Sequence, residues 1–319
     1  MKYNWKTTTP VYEFIDKIYK NTPVKMDRSY ISLANEFAQN TEEFVKQCIN
    51  NGFINSLNLS RCLNNLNNVE FVDVLPEEQR NIYGITTNNS VQVNPELNSD
   101  RRRLYQFHEL AHKLIKVGVN WDEIRKYNQT RIQRGKDVLN AMEIDYGWTL
   151  LEEAVVQNIA EECFYSSISK ERPNQIHKKE PMVLGDKFYK TNFDFYGIYQ
   201  PLATRFARTL RGIGTSKKDN DDYILNEFSK KACNVNFRKA VIEEYRRDGL
   251  EDNLMELLEN LGKIFNKKSA TFGNAGNQRV LTIEQIQVIW NSVIARMKTL
   301  EDYRPDFPDN TSPDFGDDR

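Results

Sequence analysis

Residues His108-Glu109-Leu110-Ala111-His112 put two imidazoles four positions apart, and this pentapeptide constrains the chain more than any other feature. It lies in a segment, Arg101 to Val117, whose apolar positions Leu104, Phe107, Ala111, Leu114 and Ile115 recur at helical spacing. On a helix, residues four apart share a face, so both ring nitrogens can reach one metal ion, while Glu109, about 100° around the axis, stays beside that face without joining it. This is the H-E-x-x-H (HExxH) arrangement of a zinc site in which the glutamate serves as general base. The whole sequence of 319 residues holds three histidines, so two of them are committed to this pattern.

A hydrolytic zinc (Zn2+) site needs a third protein ligand and leaves a fourth position for water. Glu152 and Glu153 compete for that role, with His177 a further candidate. Thr149-Leu150-Leu151-Glu152 reads as a capping box that would turn Glu152 back onto a helix start, which leaves Glu153 the better ligand. Gln157, one turn on, is then placed to orient a ligand from outside. Expected metal ligands are therefore His108, His112 and Glu153, with Glu109 catalytic. Tyr146, Tyr165 and His177 are candidates to donate to a developing oxyanion.

Around this centre the periodicity predicts an α+β chain. Helical spacing runs through Val11-Phe14-Ile15-Ile18-Tyr19, Ile31-Leu33-Ala34-Phe37 and Phe44-Val45-Cys48-Ile49, in short helices with Asn-rich joints; the last two could be drawn as a helix-turn-helix. Val69–Leu75 has strand length and β-branched content, and Tyr83–Thr87 with Ser90–Asn94 makes a hairpin around Asn88-Asn89. Val119 to Trp148 is polar, has no core stripe and reads as a mobile insertion ahead of a buried helix from Leu150 to Ile168. An irregular Tyr/Phe-rich stretch, Phe188 to Tyr199, precedes helices at Val241–Phe265 and Thr282–Leu300, the second opening on a Thr282/Gln285 capping box. Gly273–Asn277 is a loop. Gly212–Lys217 superficially suggests a phosphate loop but lacks its spacing and is better read as a helix-ending loop.

Lys and Arg (44) balance Asp and Glu (45), but unevenly: Leu300 to Arg319 holds seven acids and two bases, so this Pro-interrupted end carries −5 and the remainder +4. That is a solvated tail, and the body is too weakly basic for a nucleic-acid partner. Cys48, Cys62, Cys163 and Cys233 form no CxxC pair and suit a reducing, cytoplasmic setting; no apolar run approaches a membrane span.

Strand Ser90–Asn94, the approach Arg103-Leu104-Tyr105-Gln106-Phe107 to His108-Glu109-Leu110-Ala111-His112, and the later Glu153–Ala160 segment together resemble the ImmA/IrrE type of zinc metallopeptidase, a gluzincin family. The resemblance covers Val69 to Ile168. It implies a zincin-like core with a small sheet, and a bacterial or mobile-element protease that cleaves a regulatory protein such as a repressor. It also implies that strand Ser90–Asn94 lies at the cleft edge, where an extended peptide could add to it. The expected organisation is a helical region at 1–67, a zincin-like metallopeptidase core at 68–172, a mostly helical region at 173–300 and a disordered acidic tail at 301–319. The expected function is zinc-dependent endopeptidase action on a protein or peptide substrate. The competing expectation is a non-catalytic regulatory or protein-interaction module whose zinc site is vestigial or structural.

Overall fold

The computed structural model describes residues 9–25, 31–67, 70–74, 83–87, 90–115, 121–136, 139–168, 180–184, 187–191, 199–211, 213, 221–234, 236–272, 291, 295 and 297. Helices α1 (Thr9–Lys25), α2 (Ile31–Asn50) and α3 (Leu59–Asn67) lead into strands β1 (Glu70–Val74), β2 (Gly84–Thr86) and β3 (Ser90–Val93). Next come α4 (Ser99–Ile115), α5 (Trp121–Gln133) and α6 (Ala141–Ser167), then the hairpin of β4 (Glu180–Leu184) and β5 (Lys187–Thr191). Helices α7 (Gln200–Arg208), α8 (Asp221–Asn234), α9 (Phe237–Arg247) and α10 (Glu251–Phe272) complete the order. The described chain is mostly helical with two small sheets, an α+β arrangement. Among the described residues no helix is long and apolar enough to cross a membrane.

The three-stranded sheet has the order β1-β3-β2, with β3 parallel to β1 and antiparallel to β2. Its buried residues Val91 and Val93 face α4, which lies across the sheet. Asn98 Oδ1 accepts the Arg101 amide at 2.9 Å and starts α4. Arg102 is then held by Glu36 of α2 through two parallel hydrogen bonds of 2.9 and 2.7 Å. On its other side α4 packs against α6, and a single apolar cluster joins residues from α1 through α10, including Phe14, Phe44, Phe107, Trp148, Phe228 and Leu258.

Several elements depart from the expected pattern. α2 runs unbroken where two short helices, or a helix-turn-helix, were expected, because its polar middle is occupied inside the protein. Asn40 receives Arg103 Nε at 2.9 Å and donates to Gln106 at 3.1 Å, and the Thr41 hydroxyl bonds back to Phe37 O at 2.8 Å. The polar stretch read as a mobile insertion contains α5 and the beginning of α6. α5 lacks an apolar stripe because much of its attachment to α10 is polar, with the Tyr127 hydroxyl donating to Asp252 at 2.5 Å and Arg131 facing Asp252 and Glu256. The segment Val241–Phe265 divides at Gly249, whose φ of +71° ends α9 and separates it from α10. Part of the expected irregular Tyr/Phe stretch is strand β5, paired with β4 in antiparallel register. The Asn88-Asn89 turn, the Gly212–Lys217 loop apart from Ile213, His177, the Gly273–Asn277 loop and the acidic tail lie outside the described residues, as does the Thr282–Leu300 segment apart from 291, 295 and 297.

α6 is capped by Asn140, whose side chain accepts the Met142 amide at 3.0 Å, nine residues before Thr149. Thr149 is therefore inside the helix, with its hydroxyl on Asp145 O at 3.0 Å, and the expected capping box does not form. Two glycines let α6 and α10 cross at backbone contact. A Cβ on Gly147 would lie 2.7 Å from the Leu258 carbonyl carbon, and one on Gly262 would lie 2.6 Å from that of Glu143.

Candidate metal centre

His108 and His112 project from one face of α4 toward α6, their rings nearly perpendicular at 81°. The two Nε2 atoms are 3.2 Å apart. Glu153 enters from α6 and sets its Oε2 3.3 Å from the first and 3.5 Å from the second. These three groups could hold a metal ion. A tetrahedral ion bonded at roughly 2.0–2.1 Å requires donor-to-donor separations of about 3.3 Å, which the three observed edges bracket. Glu153 Oε2 is buried and has no hydrogen-bond partner, a costly condition for a carboxylate oxygen that a cation at the centre of the trio removes. Imidazole and carboxylate donors suit zinc among the first-row divalent ions.

Without a metal the trio behaves as an ion pair. Burial works to lower the His112 pKa, but the Glu153 carboxylate, with Glu109 and Glu152 behind it, overrides burial and lifts it to about 9. Burial works to raise Glu153, yet His112 and His108 hold it down at about 2. His108 is sealed, with 2 % of its side chain exposed, whereas His112 keeps 28 %, so the approach from solvent is on the His112 side.

Glu152 faces elsewhere, though not for the reason the sequence suggests. Arg238 of α9 grips both its oxygens at 2.6 and 2.9 Å, and its third nitrogen reaches Asp145 at 2.6 Å. Burial pushes the Glu152 carboxyl up, and the guanidinium opposes that. The choice between the neighbouring glutamates thus follows from a residue 86 positions away. Gln157, expected to orient a ligand, has its Oε1 3.0 Å from His108 Nδ1.

Glu109 is buried beside the trio and lies across β2. The Thr86 hydroxyl is 2.6 Å from Glu109 Oε2 and 3.0 Å from the Glu109 backbone carbonyl; with a single proton it donates to the carboxylate at the shorter distance. A side chain on Gly84 would collide with Glu109, since an added Cβ would be 2.9 Å from Oε1. The strand expected at the cleft edge is misplaced: among the described strands β3 is central, paired on both sides, and β1 and β2 are the edges. Tyr83 O accepts from Asn94 N and Thr87 N donates to Ser90 O, so the backbone groups of Gly84 and Thr86, which alternate with these, point out of the open edge.

Of the expected oxyanion donors, Tyr165 stands twelve residues beyond Glu153 on the same helix, about 18 Å of rise, and packs on Phe164. That distance removes it from the site. Tyr146 is two turns before Glu153, roughly 10 Å back along the axis, with its ring stacked on Phe265. His177 is outside the described residues. Tyr199, which the sequence reading did not single out, is buried at the start of α7 against Phe265, and burial and the charge of Glu153 push its hydroxyl up. Thr86, Gly84 and Arg238 also carry no sequence signal. Glu161 does, because Glu153, Gln157 and Glu161 form a polar line at four-residue spacing beside the buried apolar residues of α6.

A separate cavity of about 810 Å³ between α8 and α9 holds none of these groups. Two ion pairs lie within its lining, Lys230 with Glu227 at 2.7 Å and Lys231 with Glu244 at 2.8 Å, while Arg246 pairs outside it with Glu251 at 2.7 Å. No protein-family model, curated protein or solved structure matches the chain.

Proposed function

We propose that this chain is a zinc-dependent metalloendopeptidase of the ImmA/IrrE type, with a zincin-like core, acting on an extended segment of a protein substrate such as a repressor. The observation that carries the reading is the His108, His112 and Glu153 trio, whose separations of 3.2, 3.3 and 3.5 Å fit a tetrahedral ion, with a second carboxylate, Glu109, held beside it.

When bound by this trio, zinc supplies an acidified water and a polarised scissile carbonyl. Glu109 does the proton work. With Oε2 engaged by Thr86, Oε1 is the atom that takes the water proton and hands it to the leaving amine nitrogen as the C–N bond breaks. The outward N–H and C=O groups of Gly84 and Thr86 give an extended peptide the hydrogen bonds of an added strand, alongside the general base.

The test pairs metal content with hydrolysis. Protein purified without chelator should carry about one zinc per chain, and Glu109→Gln should keep the metal while losing cleavage of an unstructured peptide library. Protein that binds no zinc on titration overturns the reading. Zinc retained with no turnover in the unsubstituted chain would instead leave the site a structural one.

A further inference from the structure

Glu153, Gln157 and Glu161 follow one another at successive turns of α6 and lead from the trio into the core. The middle residue is an amide, whose two ends are chemically opposite. Its Oε1 is 3.0 Å from His108 Nδ1, and its Nε2 donates to Glu161 Oε1 at 2.8 Å. The second oxygen of Glu161 accepts from Gln200 Nε2 of α7 at 3.2 Å. His108, Gln157 and Glu161 are 1 %, 1 % and 4 % exposed, so none of these groups can exchange its partner for bulk water.

The direction of every bond in this line is set from its far end. A carboxylate only accepts, so the Gln157 NH2 must face Glu161 and its oxygen must face His108. His108 then has to carry its proton on Nδ1, which leaves the Nε2 lone pair free, and Nε2 is the atom in the trio. With the amide reversed, Gln157 would donate to Nδ1, the proton would move to Nε2, and that atom could not bind a metal. Gln200 occupies the remaining side of Glu161 and keeps the carboxylate in line.

We infer that Glu161 sets the metal affinity of the trio without touching any ligand, by fixing the orientation of the Gln157 amide and through it the tautomer of His108. Glu161 is thus a positioning residue. The inference rests on reading the trio as a metal site, and it assigns the choice of tautomer to a residue two turns beyond Glu153.

The experiment measures zinc affinity of the full chain by competition with a chromogenic chelator, independently of any hydrolysis. Loss of an outer partner of a metal-bound histidine typically weakens binding by about 10–100-fold, and Glu161→Gln, which frees the Gln157 amide to reverse, should fall at the lower end. Gln157→Glu alone sets two carboxylates against each other and should weaken binding further. The double variant Gln157→Glu with Glu161→Gln restores a full set of bonds: the carboxylate now at 157 accepts from His108 and from the amide at 161, whose oxygen accepts from Gln200. Its affinity should return close to that of the unsubstituted chain, and the imidazole nitrogen shifts of His108 should again report a proton on Nδ1. A purely structural role for Glu161 predicts no such recovery. The inference is overturned if Glu161→Gln binds zinc as tightly as the unsubstituted chain, or if the double variant binds no better than the worse single one. If the unsubstituted chain binds no zinc, the metal reading falls first and this inference with it.

Discussion

Replacing Gly147 by alanine sets two effects of opposite sign against each other. Alanine is the better helix former by about 1 kcal/mol, so on propensity alone Gly147→Ala should stabilise α6. Packing opposes this. The added methyl would meet the Leu258 carbonyl oxygen first and lie 2.7 Å from the carbonyl carbon, whereas carbon atoms rest at roughly 3.5–4.0 Å, so the two helices must separate by at least about 1 Å. The obstructing atoms are backbone on a second helix, with no flexible tip to swing aside. Overpacking of this kind costs about 1–3 kcal/mol, and the upper end applies here. The net expectation is a loss of roughly 2 kcal/mol, close to a 30-fold change in the ratio of folded to unfolded chain. Urea denaturation should show a lower midpoint with an unchanged slope. Gly262→Ala, at the reciprocal contact with Glu143, should behave alike. Because one separation of the helices relieves both clashes, the double variant should lose less than the sum of the singles. A Gly147→Ala protein as stable as its parent, or more stable, refutes the close crossing.

Four further outcomes follow from the site and its surroundings. His112 is raised from 6.5 to about 9 in the metal-free protein, so at neutral pH zinc must displace its proton; calorimetry in buffers of different ionisation enthalpy should register about one proton released per ion, and proton uptake would contradict the pairing. The same raised pKa contributes stability that is complete below pH 6.5 and lost as pH rises through about 9, so the metal-free melting temperature should decline across that interval. Arg238→Ala leaves Glu152 and Asp145 without their cation and should cost about 3–5 kcal/mol in denaturant unfolding; a change below 1 kcal/mol would mean the cluster is open to water. Thr86→Val should lower turnover with little change in KM, and Thr86→Ser should recover it, whereas equal rates in all three proteins would detach Thr86 from Glu109.

Helix α4 was legible because its two roles coincide in one stretch of chain: apolar residues at helical spacing, and histidines four apart within it. Strands β1, β2 and β3 were legible for a similar reason, since alternation and β-branching are local, whereas β4 and β5 were not expected. The start of α6 was not. Thr149 and Glu152 have the spacing of a helix start, but Trp148 and Ile144 are buried by residues contributed from α9 and elsewhere, and a helix that continues back to Asn140 overrides the local signal. α5 was missed because its anchoring to α10 is largely polar, through Tyr127 and Arg131, and such contacts leave no hydrophobic period. The assignment of Glu153 over Glu152 reached the residue that faces the histidines by an argument the fold does not use. Arg238, 86 positions downstream, supplies the discrimination, and no pattern near residue 150 announces it.

The crossing of α6 and α10 bears on how this protein could change over time. α6 is one continuous rod that carries the glycine contact at 147, the clamped Glu152, the trio member Glu153 and the support at 157 and 161. Each residue along a helix turns the next by about 100°, so inserting or deleting a single position between 147 and 153 would keep the crossing and swing Glu153 away from the histidines, or keep the glutamate and break the crossing. Point substitutions can sample this segment one side chain at a time, but its length is fixed. The trio and the helix contact therefore depend on one register, and a shift between them leaves at most one of the two in place.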